Sequence, residues 1–455
     1  MYRGISLALA LMLTPAVALA GNVFNSNNHS AEFIRTLTRN ASTDVDAVAY
    51  NPAGTTELSE GFHLGFTNQF ILKEDKLQLL DADYIANNPV FIYPTMSVAY
   101  SSGGSWTAFL HLGVPSGGGS KDFSAGHPVL KAQEPAVTQF VNSAAAEQLG
   151  EGVEVASAAT FAEGDVVGSS VFLSATLGGA YQATDWLSVA VGLRVVKGDE
   201  STTADGTYDL TLTEVGQGVS DLGMLPNPIL ISVNSETTGT GMNPLIGLHL
   251  TPIDTLDIGI QYLFKTPMTW ERSFPTEDRD DGVNDVSRMF YPTDTYNKDI
   301  PAVGSIGISY QLTPEFRAEV GLTHYFNTQA TWSYDLTDAE GNVTTVDEME
   351  PFSDGYETGL AFEYDLGSVL VSLGANYQKT GSTLESKSYL KGNLNSFSVG
   401  GGATWAINDT FDATIGLFNV SYFSQTKDLG TADQPVELTY NQTVMGGALG
   451  FNAHF

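Results

Sequence analysis

The chain has 455 residues, no cysteine, and a formal net charge of -33 from 52 acidic and 19 basic residues. That charge excludes nucleic acid as a partner, because nothing would neutralise phosphate. The missing cysteine excludes a disulfide framework, a thiolate nucleophile and Cys-ligated metal.

The first 20 residues read as a processing signal. Arg3 supplies the positive end, Ile5 to Val17 is mostly apolar, and Ala18-Leu19-Ala20 is a small-x-small cleavage site. The run is shorter than the ~20 residues a spanning helix needs, and no later stretch reaches that length. The exported chain therefore has no helix to cross a membrane, although a closed barrel needs none.

Residues 21–60 form a second unit. "SAEFIRTLTRNAS" is predicted to be a short helix, with Ser30 as N-cap and Phe33, Ile34 and Leu37 on one side. Arg35 and Arg39 are i, i+4 neighbours. The unit ends on "AVAYNPAGT", where Asn51, Pro52, Ala53 and Gly54 read as a turn. A segment this rich in small and apolar residues is unlike a disordered tail, which is normally polar. It is predicted to fill the lumen formed by the rest of the chain as a plug, or hatch.

From residue 61 the dominant signal is alternation. In "EFRAEVGLTHYF", Phe316, Ala318, Val320, Leu322 and Phe326 share one face, and Glu315, Arg317, Glu319, Thr323 and Tyr325 the other. Period 2 means strands with one apolar and one polar side. Fourteen segments obey this rule, at about 61–72, 90–101, 104–114, 169–182, 185–198, 240–252, 254–270, 299–312, 315–333, 355–366, 368–379, 394–407, 411–424 and 438–455. Most reach the ~9–11 residues of a tilted membrane strand, and an even count suits a bacterial barrel. The predicted fold is therefore an all-β, antiparallel transmembrane barrel of about 14 strands over 61–455, with an N-terminal luminal plug.

The connections alternate in length. Short turns fall at 101–105, 182–185, 251–254, 312–315, 365–368 and 407–410, whereas 115–168, 199–239, 271–298 and 334–354 are long loops. Residues 199–240 hold seven acids and no base. Short turns at one end and long loops at the other are the asymmetry of an outer-membrane barrel. Two of the long loops carry apolar surface. In "EPAVTQFVNSAAAEQL" (134–149), Val137, Phe140, Val141 and Leu149 recur at helical spacing. "DLGMLPNPILISV" (221–233) offers Leu222, Met224, Leu225, Ile229 and Leu230. These read either as a greasy binding groove or as two segments that pack on each other as a lid. The chain ends on an amphipathic strand with a terminal aromatic, Phe455.

Together these features resemble the FadL–TodX family of outer-membrane transporters of hydrophobic compounds. "NPAG" (51–54) stands where that family has it, between hatch and first strand. "FLHLGVPSGGG" (109–119) is similar to the family's Gly-x-Pro-Phe-Gly stretch in strand three, with Ser116 in place of the Phe. "DIPAVGSIGISYQLTPEFRAEVGLTHY" (299–325) looks like a hairpin of the family. The resemblance implies passive uptake of a hydrophobic small molecule, foremost a long-chain fatty acid, with aromatic or alkane hydrocarbons as the alternative. It implies capture in the groove of 134–149 and 221–233, then a luminal site lined by Phe24, Phe33, Ile34 and Leu37. A hatch rearrangement hinged at Asn51 to Gly54 would come next, with a lateral opening near a kinked third strand. A fatty-acid carboxylate would want a cation, and Arg35, Arg39, Lys121, Arg194 and Arg317 are candidates. For Arg317 the rival role is a luminal ion-pair ladder with Glu315 and Glu319.

The expected partners are the hydrophobic substrate, outer-membrane lipid and lipopolysaccharide, and the barrel-assembly machinery reading Phe455, with the protein a monomer. No cofactor or metal is nominated: "GVPSGGGS" lacks the Lys-Ser/Thr of a P-loop, and "TEDRDDGVND" (276–285) does not keep EF-hand spacing. No catalytic constellation stands out, so an enzyme is not expected. A general porin and a surface adhesin are the rival readings.

Overall fold

The computed structural model describes residues 28–79, 82–124, 126–275, 284–287, 293–337, 342–347, 352–387, 392–429 and 436–455. The predicted signal segment, Phe24 and most of 276–285 lie outside them.

Among the described residues, fourteen strands close into one antiparallel barrel. They are β1 (Gly61–Leu79), β2 (Pro94–Ser101), β3 (Trp106–Phe123), β4 (Ala156–Thr184), β5 (Leu187–Leu212), β6 (Ile229–Ile253) and β7 (Leu256–Leu263), then β8 (Ala302–Thr313), β9 (Phe316–Phe326), β10 (Gly355–Asp365), β11 (Val369–Lys379), β12 (Ser396–Ala406), β13 (Phe411–Tyr422) and β14 (Glu437–His454). Each pairs with its neighbours in sequence. The ring closes where β1 meets β14, in register from His63↔His454 to Leu79↔Leu438. Closure leaves no free first or last strand, so the wall's backbone groups pair between neighbouring strands over most of its length.

The alternation seen in the sequence is the inside–outside rule of this wall. In β9, Val320 and Leu322 point out and are exposed, while Glu319, Thr323 and Tyr325 point in and are buried. The outward residues Val191, Leu193, Ile306, Ile308, Leu360, Leu373, Ile415, Leu417 and Leu449 continue an apolar belt around the barrel. Near the six short turns the belt ends in exposed rings, among them Trp106, Tyr181, Trp186, Tyr310, Tyr364, Trp405 and Phe455. Soluble proteins rarely expose apolar patches beyond a few hundred Å². A belt with an aromatic rim is the dress of a barrel in lipid.

Two differences from the sequence-based expectation have physical causes. Strands β4, β5 and β6 run on far beyond the belt, to Ala156, Leu212 and Ile229. There the outward face carries Ser, Thr, Asp and Glu and the inward face mixes Ser, Thr and Gly with apolar residues, so the alternation that marks a strand fades while the ladder itself continues. Conversely, the expected strand 254–270 is interrupted. The chain leaves β7 at Leu263, passes Pro267, and resumes at Met268–Ser273 against Gly241 to Glu236 of β6. Proline has no N–H to give the ladder.

Candidate functional site

The site begins with the segment that precedes β1. Helix α1 (Ala31–Thr36) is capped by Ser30, whose Oγ accepts from the Phe33 N–H at 2.9 Å and donates to Asp46 at 2.8 Å. It stops at Leu37, whose φ of 58° is left-handed, a conformation costing a non-glycine residue roughly 1–2 kcal/mol. Burial of Leu37 with Phe33 and Ile34 holds it there. A one-turn helix α2 (Ala47–Tyr50) comes next, then a 3₁₀ turn over Pro52–Glu57. Asn51 closes α2, and its Nδ2 donates to the Ser42 carbonyl at 2.9 Å. Gly54 lies so close to Ser42 O that a Cβ would stand 2.4 Å away. Asn51 to Gly54 therefore join two short helices, with Pro52 opening the second, and the chain heads for the wall at Leu58 to Gly61.

This segment lies inside the barrel. On one side Thr56 Oγ1 donates to Ser188 Oγ of β5 at 2.7 Å, and Thr107 Oγ1 of β3 donates to Thr55 O at 3.1 Å. On the other, Glu32 accepts from Asn452 of β14 at 2.9 Å and Thr414 of β13 at 3.0 Å. Glu32 is buried, and burial first, Asp46 second, push its carboxyl up.

Both segment arginines are fully buried and already matched. Arg35 pairs with Glu363 of β10, which also holds Arg317 of β9 with a 2.7 Å bond from Nε. Arg39 meets Asp46 through two bonds, at 2.9 and 3.1 Å, and pairs with Asp44. Burial pulls the Arg39 guanidinium down, and the Asp46 and Asp44 carboxylates more than reverse it. Arg317 thus pairs directly across to Glu363, its register partner, rather than along its own strand to Glu315 or Glu319. Lys121 shares Asp75 with Lys73, at 2.9 and 3.1 Å. Arg194 differs. It is buried and bonds only neutral partners among the described residues, Asn243 at 3.0 Å and Thr266 at 3.2 Å.

Apolar side chains gather at three levels. Over the N-terminal segment, Phe33, Ile34 and Leu37 pack with Tyr50, Tyr93, Phe418 and Val444. Phe33 and Tyr50 stack at 5.5 Å. Above them, Leu77, Phe123, Val129, Leu130, Leu438 and Tyr440 form a second cluster. The third lies in the outer loops, where helix α4 (Glu134–Leu149) packs Val137 and Val141 on Tyr208, Leu210 and Ile229. Phe140 touches both upper clusters, and Leu225 borders the third. The two loop segments singled out in the sequence therefore do meet. Leu149, Leu222, Met224 and Leu230 stay exposed at the rim.

The wall is irregular at β3. Its pairing with β4 slips between Gly113 and Ser116 and again between Gly117 and Gly119. Gly117 and Gly118 take φ of 68° and 92°, which favours glycine. Tyr93 fills the notch: its OH donates to Val114 O at 3.0 Å, and a Cβ on Gly118 would stand 2.3 Å from its ring. Pairing of β2 with β3 stops at Met96↔Leu112, below this notch. Beside it lies a cavity of about 540 Å³, lined by Gly118, Ser170, Glu200, Glu236 and Thr237 among others. Its lining mixes carboxylates and hydroxyls with Val171 and bare glycine backbone.

Sequence reasoning missed the partners of the arginines and the role of Tyr93. Glu363 lies 328 residues from Arg35. Only the strand register brings them together.

A closed antiparallel barrel of fourteen strands is also the fold of solved transporters and channels. The chain aligns over 96 % of its length with all of a Pseudomonas aeruginosa FadL homologue, at TM-score 0.66 and 12 % identity. It aligns over 96 % with all of the Pseudomonas putida toluene transporter TodX, at 0.59 and 14 %, and over 90 % with 93 % of the monoaromatic hydrocarbon channel CymD, at 0.51 and 13 %. The chain has the FadL–TodX fold. No protein-family model matches it, and no curated protein does.

Proposed function

We propose that this protein is an outer-membrane channel for passive uptake of hydrophobic small molecules, foremost long-chain fatty acids. The observation that carries this reading is the succession of three apolar clusters, from the outer loops to the N-terminal segment. Each CH₂ moved from water to such a site gains ~0.8 kcal/mol. The rim residues Leu149, Leu222, Met224 and Leu230, with Val137, Phe140, Val141, Leu225 and Ile229 behind them, form the capture groove. Phe33, Ile34 and Leu37 line the inner site. Residues 21–60 act as the hatch, latched by Arg35 to Glu363 and braced internally by Arg39, with Asn51 to Gly54 as its hinge. The notch at Gly117 and Gly118, stoppered by Tyr93, is the lateral exit to lipid. The protein works as a monomer amid outer-membrane lipid and lipopolysaccharide, with Phe455 as the signal to the assembly machinery.

Fatty acid rather than hydrocarbon is favoured by Arg194, the buried luminal arginine without a carboxylate among the described residues. A carboxylate head bound there would be paired rather than stranded.

The test is uptake of radiolabelled oleate and toluene by cells with and without the protein. Leu222→Ser with Met224→Ser should lower uptake of both about tenfold, since giving up ~1.4 kcal/mol of apolar contact is a factor of ten. Arg194→Met should lower oleate uptake and spare toluene. Equal loss of both would overturn the fatty-acid assignment, and no difference from protein-free cells would overturn the channel.

A further inference from the structure

The inner wall carries a row of glycines at the level of the N-terminal segment. Gly259 of β7, Gly307 of β8, Gly321 of β9 and Gly359 of β10 are successive cross-strand partners. Gly374 of β11 and Gly400 of β12, also paired to each other, continue the row. All face inward, and the segment's backbone passes directly over them. A Cβ on Gly374 would stand 1.7 Å from Thr36 O, on Gly259 2.1 Å from Asn40 O, and on Gly307 2.5 Å from Ala41 N. On Gly400 it would stand 2.7 Å from Ile34 O, on Gly359 2.8 Å from Leu37 O, and on Gly321 2.1 Å from Thr38 Oγ1. Six consecutive strands thus present bare backbone where residues 34–41 lie.

Glycine inside a strand costs roughly 0.5–1 kcal/mol relative to alanine. A row of six weakens the wall unless something else is gained. The contacts show what: at these distances no side chain fits between wall and segment. Polar anchors flank the row. Asn376 donates to Leu37 O at 3.1 Å, Asn40 donates to Ile306 O at 3.3 Å and Leu322 O at 3.2 Å, and Glu319 accepts from Ala41 N at 3.2 Å. The opposite half of the lumen is built differently. There Val48 and Ala53 pack on the side chains of Ala99, Phe109, Ala180 and Ala190.

We infer that the glycine row of β7 to β12 is a docking seat, a groove of bare backbone whose occupant is residues 34–41 of this chain. The depth of that groove holds the barrel shut. The inference rests on the reading of residues 21–60 as the movable closure, and it is independent of what the channel carries. One added methyl group in the row should lift the segment and open the lumen to ions, while leaving the wall paired.

The experiment is single-channel conductance of the full protein in planar bilayers bathed in potassium chloride. Folding is checked beforehand by the heat-modifiable band on gels. Gly374→Ala and Gly259→Ala should raise open probability at least about tenfold over the unmodified protein. Gly401→Ala, which adds its methyl on the outward face beside Leu373, should not. Gly321→Ala should also open the barrel, and Thr38→Ala in the same chain should close it again, because it removes the hydroxyl that the methyl strikes. Deletion of residues 21–54 supplies the fully open reference. If the deletion conducts while the inward variants stay silent, the seat is overturned and the closure stands. A silent deletion overturns the closure reading and the seat with it. Opening by Gly401→Ala to the same extent, or no rescue by Thr38→Ala, would reduce the effect to general weakening of the wall and overturn the seat.

Discussion

Glu363 is the residue on which the interior charge balance turns. It lies between Arg35 of the N-terminal segment and Arg317 of β9, and all three are wholly or largely removed from water. Removing one partner of a buried pair strands the rest, at a typical cost of about 3–5 kcal/mol. Glu363→Gln should therefore lower the unfolding free energy measured in urea by that order, although Gln nearly matches Glu in size. An unchanged midpoint would mean that water reaches both guanidinium groups. The sequence offered Arg317 as a charge on a polar face, and Arg35 and Arg317 as candidates to hold a substrate carboxylate. What it withheld was the register that places Glu363 opposite Arg317. Gly259 and Gly359 likewise take their meaning from close neighbours that only the fold supplies.

At the scale of elements, the strands were legible wherever one side faces lipid, because only there does period 2 separate apolar from polar. Beyond the belt, in β4 to β6, the outward side is polar and the inward side mixes Ser, Thr and Gly with apolar residues, so the contrast between the two fades. The outer helices obey local rules instead. Helix α4 announces itself through its apolar spacing, whereas the shorter helix α3 (Pro128–Ala132) has too few residues for any period to show. Helix α3 is capped by His127, whose Nδ1 accepts from the Val129 N–H at 3.1 Å. Burial first, and Lys121 second, lower this imidazole from 6.5 to about 3. The unfolded loop thus binds the extra proton between those values, and the stability of the outer cap is full above pH 6.5 and falls as the pH drops toward 3. Limited proteolysis of the outer loops should quicken over that window. His127→Asn keeps an acceptor at the cap and removes the titration, so its profile should be flatter. Superimposable profiles would show that His127 does not govern the loops.

The whole molecule is organised around an exterior that seeks lipid and an interior that seeks its own N-terminus. Leu417 stands near the middle of the belt, exposed and pointing outward. Leu417→Arg should cost about 2–4 kcal/mol of folding stability in a bilayer, the depth-dependent penalty for a charge at the midplane. A smaller effect in detergent than in lipid vesicles would identify the bilayer as its source.

Closure between the first and last strands also fixes an order of events. The N-terminal segment is made first, yet helix α1 rests mainly on β11 to β14, the last strands to be made. Contacts so distant in sequence form slowly. Residues 31–36 must therefore wait, unseated, until nearly all the others exist, and the β1–β14 seam then closes around them. The barrel is built around its own contents, so a chain cut short before β11 would lack both the last wall and the resting place of its beginning.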